Sequence, residues 1–123
     1  MVSDAEALRP YECDGLTAYR ELPLAVVIPT DVDQICNVMR YCWAHGLPVV
    51  ARGAGTSLSG GARPHKDGIV ISLARFNQIL AIDPKNRTAR VQPGVRNLAI
   101  SDAVAYLGLY YAPDPSSQIA CSI

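Results

Sequence analysis

Apolar positions in the first third of the chain pass from a continuous run to a helical repeat. Leu24 to Ile28 is an unbroken, valine-rich run closed by Pro29, the pattern of a strand buried on both faces. Thr30 then offers an N-cap, and Asp31 and Asp33 place carboxylates in the first turn, where they complement a helix dipole. Apolar side chains recur at Val32, Ile35, Cys36, Met39, Cys42 and Trp43 before Gly46 and Pro48 stop the repeat. This spacing predicts a helix whose whole stripe, Trp43 included, packs on a sheet. Val49 to Ala51 is the next strand, so the segment reads as a βαβ unit with parallel strands and a right-handed crossover.

After Gly68 the alternation of strand and helix gives way to successive strands. Ile69 to Leu73 is one, and Leu80 to Ile82 and Thr88 to Val91 are two more. Asp83-Pro84-Lys85-Asn86-Arg87 between the last two carries turn residues and predicts a hairpin, so pairing here is expected to be antiparallel. Pro93-Gly94 turns the chain, and Ile100, Val104 and Leu107 mark a second amphipathic helix over Leu98 to Leu107, ended by Gly108. The pattern therefore predicts an α+β architecture: a small βαβ subdomain over 20–65, then the start of an antiparallel α+β subdomain over 66–123. Tyr110 to Gln118 is a dense loop signal, and Ile119 to Ile123 follows without a cap or turn, so the second subdomain is expected to be truncated in mid-motif.

The chemistry concentrates where the second strand ends. Val49 to Arg52 runs directly into Gly53-Ala54-Gly55-Thr56-Ser57-Leu58-Ser59-Gly60-Gly61. Glycines at positive φ let successive backbone N–H groups converge on one anion, and Thr56, Ser57 and Ser59 add hydroxyl donors. Neither common phosphate motif fits. Gly55 and Gly60 have P-loop spacing, but Gly61-Ala62 stands where Lys-Ser or Lys-Thr is needed. Gly53 and Gly55 match two glycines of a dinucleotide fingerprint, yet Leu58 occupies the third site and Gly60, Gly61 and Pro64 oppose the following helix. The loop leaves the carboxyl end of a parallel strand, where open α/β sheets commonly hold ligands. Two other readings stay open at this level: a non-catalytic phosphate- or nucleotide-binding module, and a structural module whose glycines only turn the chain.

Composition narrows the partners. Eleven basic residues balance eleven acidic ones in 123 residues, without a Lys/Arg cluster, which excludes the footprint of a nucleic-acid binder. No apolar run spans a bilayer and the first residues lack a signal-peptide pattern, so a cytoplasmic setting is expected, with any membrane association through partner subunits. Cys13, Cys36, Cys42 and Cys121 form no CxxC pair and have no zinc-ligand spacing with His45 or His65, which predicts mostly buried free thiols and no metal site.

Four blocks then occur in one order: Pro10-Tyr11-Glu12-Cys13-Asp14-Gly15-Leu16, Ala51-Arg52-Gly53-Ala54-Gly55-Thr56, Val91-Gln92-Pro93-Gly94-Val95-Arg96-Asn97, and Tyr111-Ala112-Pro113-Asp114-Pro115-Ser116-Ser117. Together they resemble the flavin-binding subunits of glycolate oxidases, within the vanillyl-alcohol-oxidase or PCMH-type family of FAD-linked oxidases. The resemblance implies a PCMH-type FAD-binding fold and oxidation of glycolate, D-lactate or a similar D-2-hydroxy acid to the 2-oxo acid. It implies that Arg52, Gly53, Ala54, Gly55, Thr56 and Ser57, with Gly60 and Gly61 nearby, hold the FAD pyrophosphate. Pro93, Gly94, Pro113, Asp114, Ser116 and Ser117 would flank the ribityl chain and flavin, and Cys121, Ser122 and Ile123 would begin a further cofactor segment. Some relatives attach flavin covalently to a histidine in the glycine loop; Thr56 stands there in this chain, which implies non-covalent FAD. The general base and the cation for the substrate carboxylate would come from a substrate domain outside these residues, so no catalytic residue is assigned. Tyr11, Arg52, Arg63 and Arg96 are read instead as a packed tyrosine and solvated arginines. A second FAD-domain subunit and an iron-sulfur subunit are the implied partners. The 123-residue chain by itself is expected to be inactive and to self-associate through unpaired strand edges and apolar surface.

Overall fold

The computed structural model describes all 123 residues. Its first layer is a three-stranded parallel sheet of β1 (Ala25–Val27), β2 (Val49–Arg52) and β3 (Ile69–Ser72), in the order β1-β3-β2. Both outer strands pair with β3, Ala25 and Val49 each standing opposite Ile69. The helix joining β1 to β2, Val32–Ala44, follows a short N-terminal helix, Ala5–Leu8; we number these α2 and α1. Val2 pairs with Val26 in an isolated antiparallel bridge, covering part of the outer edge of β1. Leu8, Val26 and Val70 form the centre of the core, with Val2, Tyr11, Ile28 and Val50 packed around them.

The expected βαβ unit forms, but β1 and β2 are not neighbours. Ile69–Ser72, expected to open the antiparallel subdomain, is instead the central parallel strand. The physical reason lies in its own composition: Ile69-Val70-Ile71 is a continuous apolar run, the signature of a strand covered on both faces, and Val70, Ile71 and Ser72 are buried. The change of architecture therefore falls between Ser72 and Ile79, later than the expected division at 65/66.

Helix α2 differs at both ends from its sequence reading. Asp31, not Thr30, is the N-cap: its Oδ1 accepts the Gln34 N–H at 2.8 Å. Gln34 returns the contact one residue earlier, where its Oε1 accepts the Thr30 N–H at 3.0 Å, a displaced form of the reciprocal capping box. Trp43, expected in the core, is 90% exposed. Ile35, Cys36, Val38 and Cys42 are half-buried or buried, whereas Val32, Met39 and Trp43 are exposed. One position along a helix is a rotation of about 100°, so a stripe this wide exceeds what one face of a small sheet covers. The thiols also correct their expectation in part: Cys42 and Cys121 are buried, but Cys13 and Cys36 are only half-buried.

The second layer begins with the expected hairpin, β4 (Ile79–Asp83) antiparallel to β5 (Thr88–Val91), with an irregularity between Ile79 and Ala81. Helix α3 (Asn97–Val104) continues as a 3-10 turn over Ala105–Leu107 and ends at Gly108, whose φ of 68° is left-handed. No side chain caps α3. Its first N–H groups donate instead to the tail, Asn97 to the Cys121 carbonyl at 3.0 Å and Leu98 to that of Gln118 at 3.1 Å. The C-terminal residues are thus built into the second layer by satisfying donors that every helix start leaves open.

Candidate functional site

The glycine loop leaves the carboxyl end of β2 as expected. Gly55 and Gly60 adopt φ of 72° and 73°, conformations that turn the backbone outward and that L side chains resist. The N–H groups of Gly53, Gly55, Thr56, Ser57, Leu58, Gly60 and Gly61 make no hydrogen bond within the chain. A run of unclaimed donors on a turning backbone is the arrangement that binds phosphate oxygens without a lysine. Two neighbours are already engaged: Ala54 N–H donates to the Ser122 hydroxyl at 3.0 Å, and Ser59 N–H to the Ser57 hydroxyl at 3.2 Å.

Between this loop and the second layer lies a cavity of about 640 Å³. One wall is Gly53 and Ala54; another is Gly94, Val95, Arg96 and Ala99; Ala74, Asn77 and Ile79 close one side and Ile119, Ala120 and Ser122 the other. Arg96 is the one ionisable side chain in this lining, which contains no carboxylate. The cavity therefore favours an anion. Gly94 is there for space: a Cβ would run into the Leu73 carbonyl oxygen and stand 2.8 Å from that of Phe76, to which Gly94 already donates its N–H at 2.7 Å. Residues 121–123 join the two walls, since Ile123 N–H donates to the Val95 carbonyl at 3.1 Å while Ser122 holds Ala54.

Of the residues read from sequence, the structure brings Gly53, Ala54, Gly94 and Ser122 into the cavity lining. Gly55, Thr56, Ser57, Gly60 and Gly61 extend the loop beside it, and Pro93 is exposed on the turn before Gly94. Cys121 is buried behind the lining and Ile123 is exposed beyond it. Pro113, Asp114, Ser116 and Ser117 are not in the lining. Two of them contribute backbone acceptors: the Pro113 carbonyl accepts from the buried Asn97 side-chain amide at 3.1 Å, and the Ser117 carbonyl accepts from Ala120 and Cys121 N–H, each at 2.8 Å. Arg52 is not solvated; it is 8% exposed and lies behind the loop. Arg63 is exposed, as expected. Sequence reasoning did not assign Ala74, Asn77, Val95, Arg96, Ala99, Ile119 and Ala120 to the site. Arg96 was within reach, since it follows Pro93-Gly94 directly; the small residues carry no motif, and only packing brings them together.

The family profile described as FAD binding domain matches residues 23–123. The chain belongs to this FAD-binding domain family. It is 61% identical over 118 residues to the glycolate oxidase subunit GlcD of Escherichia coli K12, covering 96% of the chain and 24% of that subunit. The chain thus spans about a quarter of the length of this relative. Among solved structures, alkyldihydroxyacetonephosphate synthase superposes with a TM-score of 0.82 at 17% identity, covering 98% of the chain and 24% of the synthase chain. p-Cresol methylhydroxylase superposes with a TM-score of 0.76 at 27% identity, covering 88% and 22%. The fold is therefore the PCMH type, with a parallel sheet followed by antiparallel strands, and FAD is its cofactor. The chain's own residues fit that group: the loop offers free N–H donors for a diphosphate, and the adjoining cavity is neutral or cationic throughout. No helix is long and apolar enough to cross a membrane.

Proposed function

We propose that this chain is the FAD-binding portion of a flavoprotein that oxidises glycolate or a similar D-2-hydroxy acid to the 2-oxo acid. The observation that carries the reading is identity of 61% to a glycolate oxidase subunit along 96% of the chain, joined to a lysine-free loop of unclaimed N–H donors beside a carboxylate-free cavity. Gly53 to Ser57 would hold the diphosphate, and the Pro93-Gly94 turn, packed against the Leu73 and Phe76 carbonyls, would flank the rest of the cofactor. Bound FAD supplies a two-electron acceptor. The chain contributes binding, orientation and a positive environment; the general base and the group that recognises the substrate carboxylate belong to the rest of the protein. The Escherichia coli relative is a subunit by name, which supports assembly into a multi-subunit complex; a second FAD-domain subunit and an iron-sulfur subunit are the partners of this reading. A cytoplasmic setting, at the membrane only through those partners, completes it.

Titration of the flavin-free protein with FAD, followed by flavin fluorescence, tests the reading. Saturable binding supports it, and uptake of ADP with no preference for FAD would replace it with a plain nucleotide-binding module. Acid precipitation should release all the flavin, because Thr56 offers no histidine for attachment; yellow colour in the washed pellet would refute non-covalent binding.

A further inference from the structure

The family profile begins at residue 23, yet the structure ties residues 10–16 directly to the glycine loop. Arg52, the last residue of β2, turns its guanidinium away from the cavity and under the loop. One terminal nitrogen donates to the Cys13 carbonyl at 2.7 Å and the other to the Pro10 carbonyl at 3.2 Å. The same group stands over the Tyr11 ring, 5.6 Å from its centroid. No carboxylate lies within ion-pair distance of it. A buried guanidinium held only by carbonyls and an aromatic face is costly to place unless the geometry serves a purpose.

The loop is shaped against this group. A Cβ on Gly55 would collide with the Arg52 guanidinium, so residue 55 must be glycine for contact as well as for its φ of 72°. From the other side, Asp14 Oδ1 accepts the Leu16 N–H at 2.9 Å and fixes a turn that delivers Gly15 to the loop. A Cβ on Gly15 would stand 2.9 Å from the Thr56 carbonyl oxygen and 3.0 Å from that of Ser57. The loop carbonyls are therefore held inward against residues 10–16. Across a trans peptide the N–H that follows a carbonyl points the opposite way, so the Ser57 and Leu58 N–H groups face away from Gly15.

We infer that residues 10–16 are a built part of the cofactor site, and that Arg52 is a positioning residue that fastens them beneath the glycine loop so that its N–H groups are presented before the diphosphate arrives. This rests on the FAD reading above. Binding to a preformed loop avoids the cost of ordering it, so the brace acts on cofactor affinity rather than on the fold as a whole.

The test uses the full-length protein stripped of flavin, with Arg52→Gln, Arg52→Lys and Gly15→Ala. Gly15 is exposed, so its substitution disturbs the loop contact without opening the core. FAD affinity, the melting temperature of the flavin-free protein and hydrogen exchange of the amides of residues 53–59 are measured together. The expected result is an FAD Kd raised about tenfold or more in Arg52→Gln and Gly15→Ala, faster exchange in the loop, and a melting temperature close to wild type in Gly15→Ala. Arg52→Lys keeps the charge but cannot reach two diverging carbonyls, so it should not restore affinity. Wild-type Kd and loop exchange in Gly15→Ala would overturn the inference, as would full rescue by lysine; if Arg52→Gln fails to fold, Gly15→Ala decides. Absence of FAD binding by the wild-type protein would instead overturn the functional reading, and loop exchange in the flavin-free variants would still report on the brace.

Discussion

At the residue scale the hairpin turn shows how local chemistry sets a measurable pH dependence. The Asn86 backbone N–H donates to Asp83 Oδ1 at 3.0 Å and its side-chain amide to Oδ2 at 2.7 Å. These bonds, the backbone one foremost, hold the Asp83 carboxyl below the ordinary aspartate value. A lowered folded-state pKa means that the carboxylate stabilises the turn fully above the unfolded value, near 3.9, and that this contribution is lost as pH falls through the lower folded value. Asp83→Asn should therefore melt below wild type at neutral pH and converge with it in strong acid; a difference independent of pH would show that the charge is irrelevant. Most of this site was legible from sequence, because Asp83 and Asn86 act within one short turn. Arg52 was not. Its partners lie 39 and 42 positions away, so nothing in the local pattern separates a solvated arginine from one buried beneath a loop.

At the element scale, helices and strands followed their apolar periods, while their neighbours did not. The start of α2 depends on Asp31 and Gln34, and replacing Asp31 with alanine should cost about 1 kcal/mol, lowering the melting temperature by roughly 3–6 °C in a chain of this size. Retention of the wild-type melting temperature in Asp31→Ala would mean that Thr30 can take over the cap, as its place in the sequence suggests. The hairpin was legible because the Asp83 to Arg87 turn identifies which two strands pair. β3 was legible as a strand but not as the central one, since a run such as Ile69-Val70-Ile71 reports burial on two faces and is silent about which strands supply the edges. Helix α3 shows the same limit, because its cap is the backbone of residues 118 and 121, where residue type leaves no trace.

For the molecule as a whole, the parallel sheet, the hairpin layer and the cavity between them form an FAD-binding module with apolar surface left uncovered. Val32, Met39 and Trp43 are exposed on α2, and neither outer edge of the hairpin is paired. The 123-residue chain should accordingly self-associate as its concentration rises, with the emission of its single tryptophan moving to shorter wavelength. Sedimentation as one monomeric species with unchanged emission across that range would refute this. The sequence by itself determined the strands, the two longer helices, the glycine loop and, through four ordered blocks, the flavin-binding family, though not the short helix α1, because periodicity, turn residues and backbone-permissive glycines act over a few neighbouring positions. Tertiary structure alone decided that β3 lies between β1 and β2, that Trp43 faces out, that Ser122 meets Ala54, and that Arg52 fastens residues 10–16 beneath the loop. Those outcomes depend on which surfaces compete for burial and which distant carbonyls are free to accept a hydrogen bond, and both are properties of the folded chain.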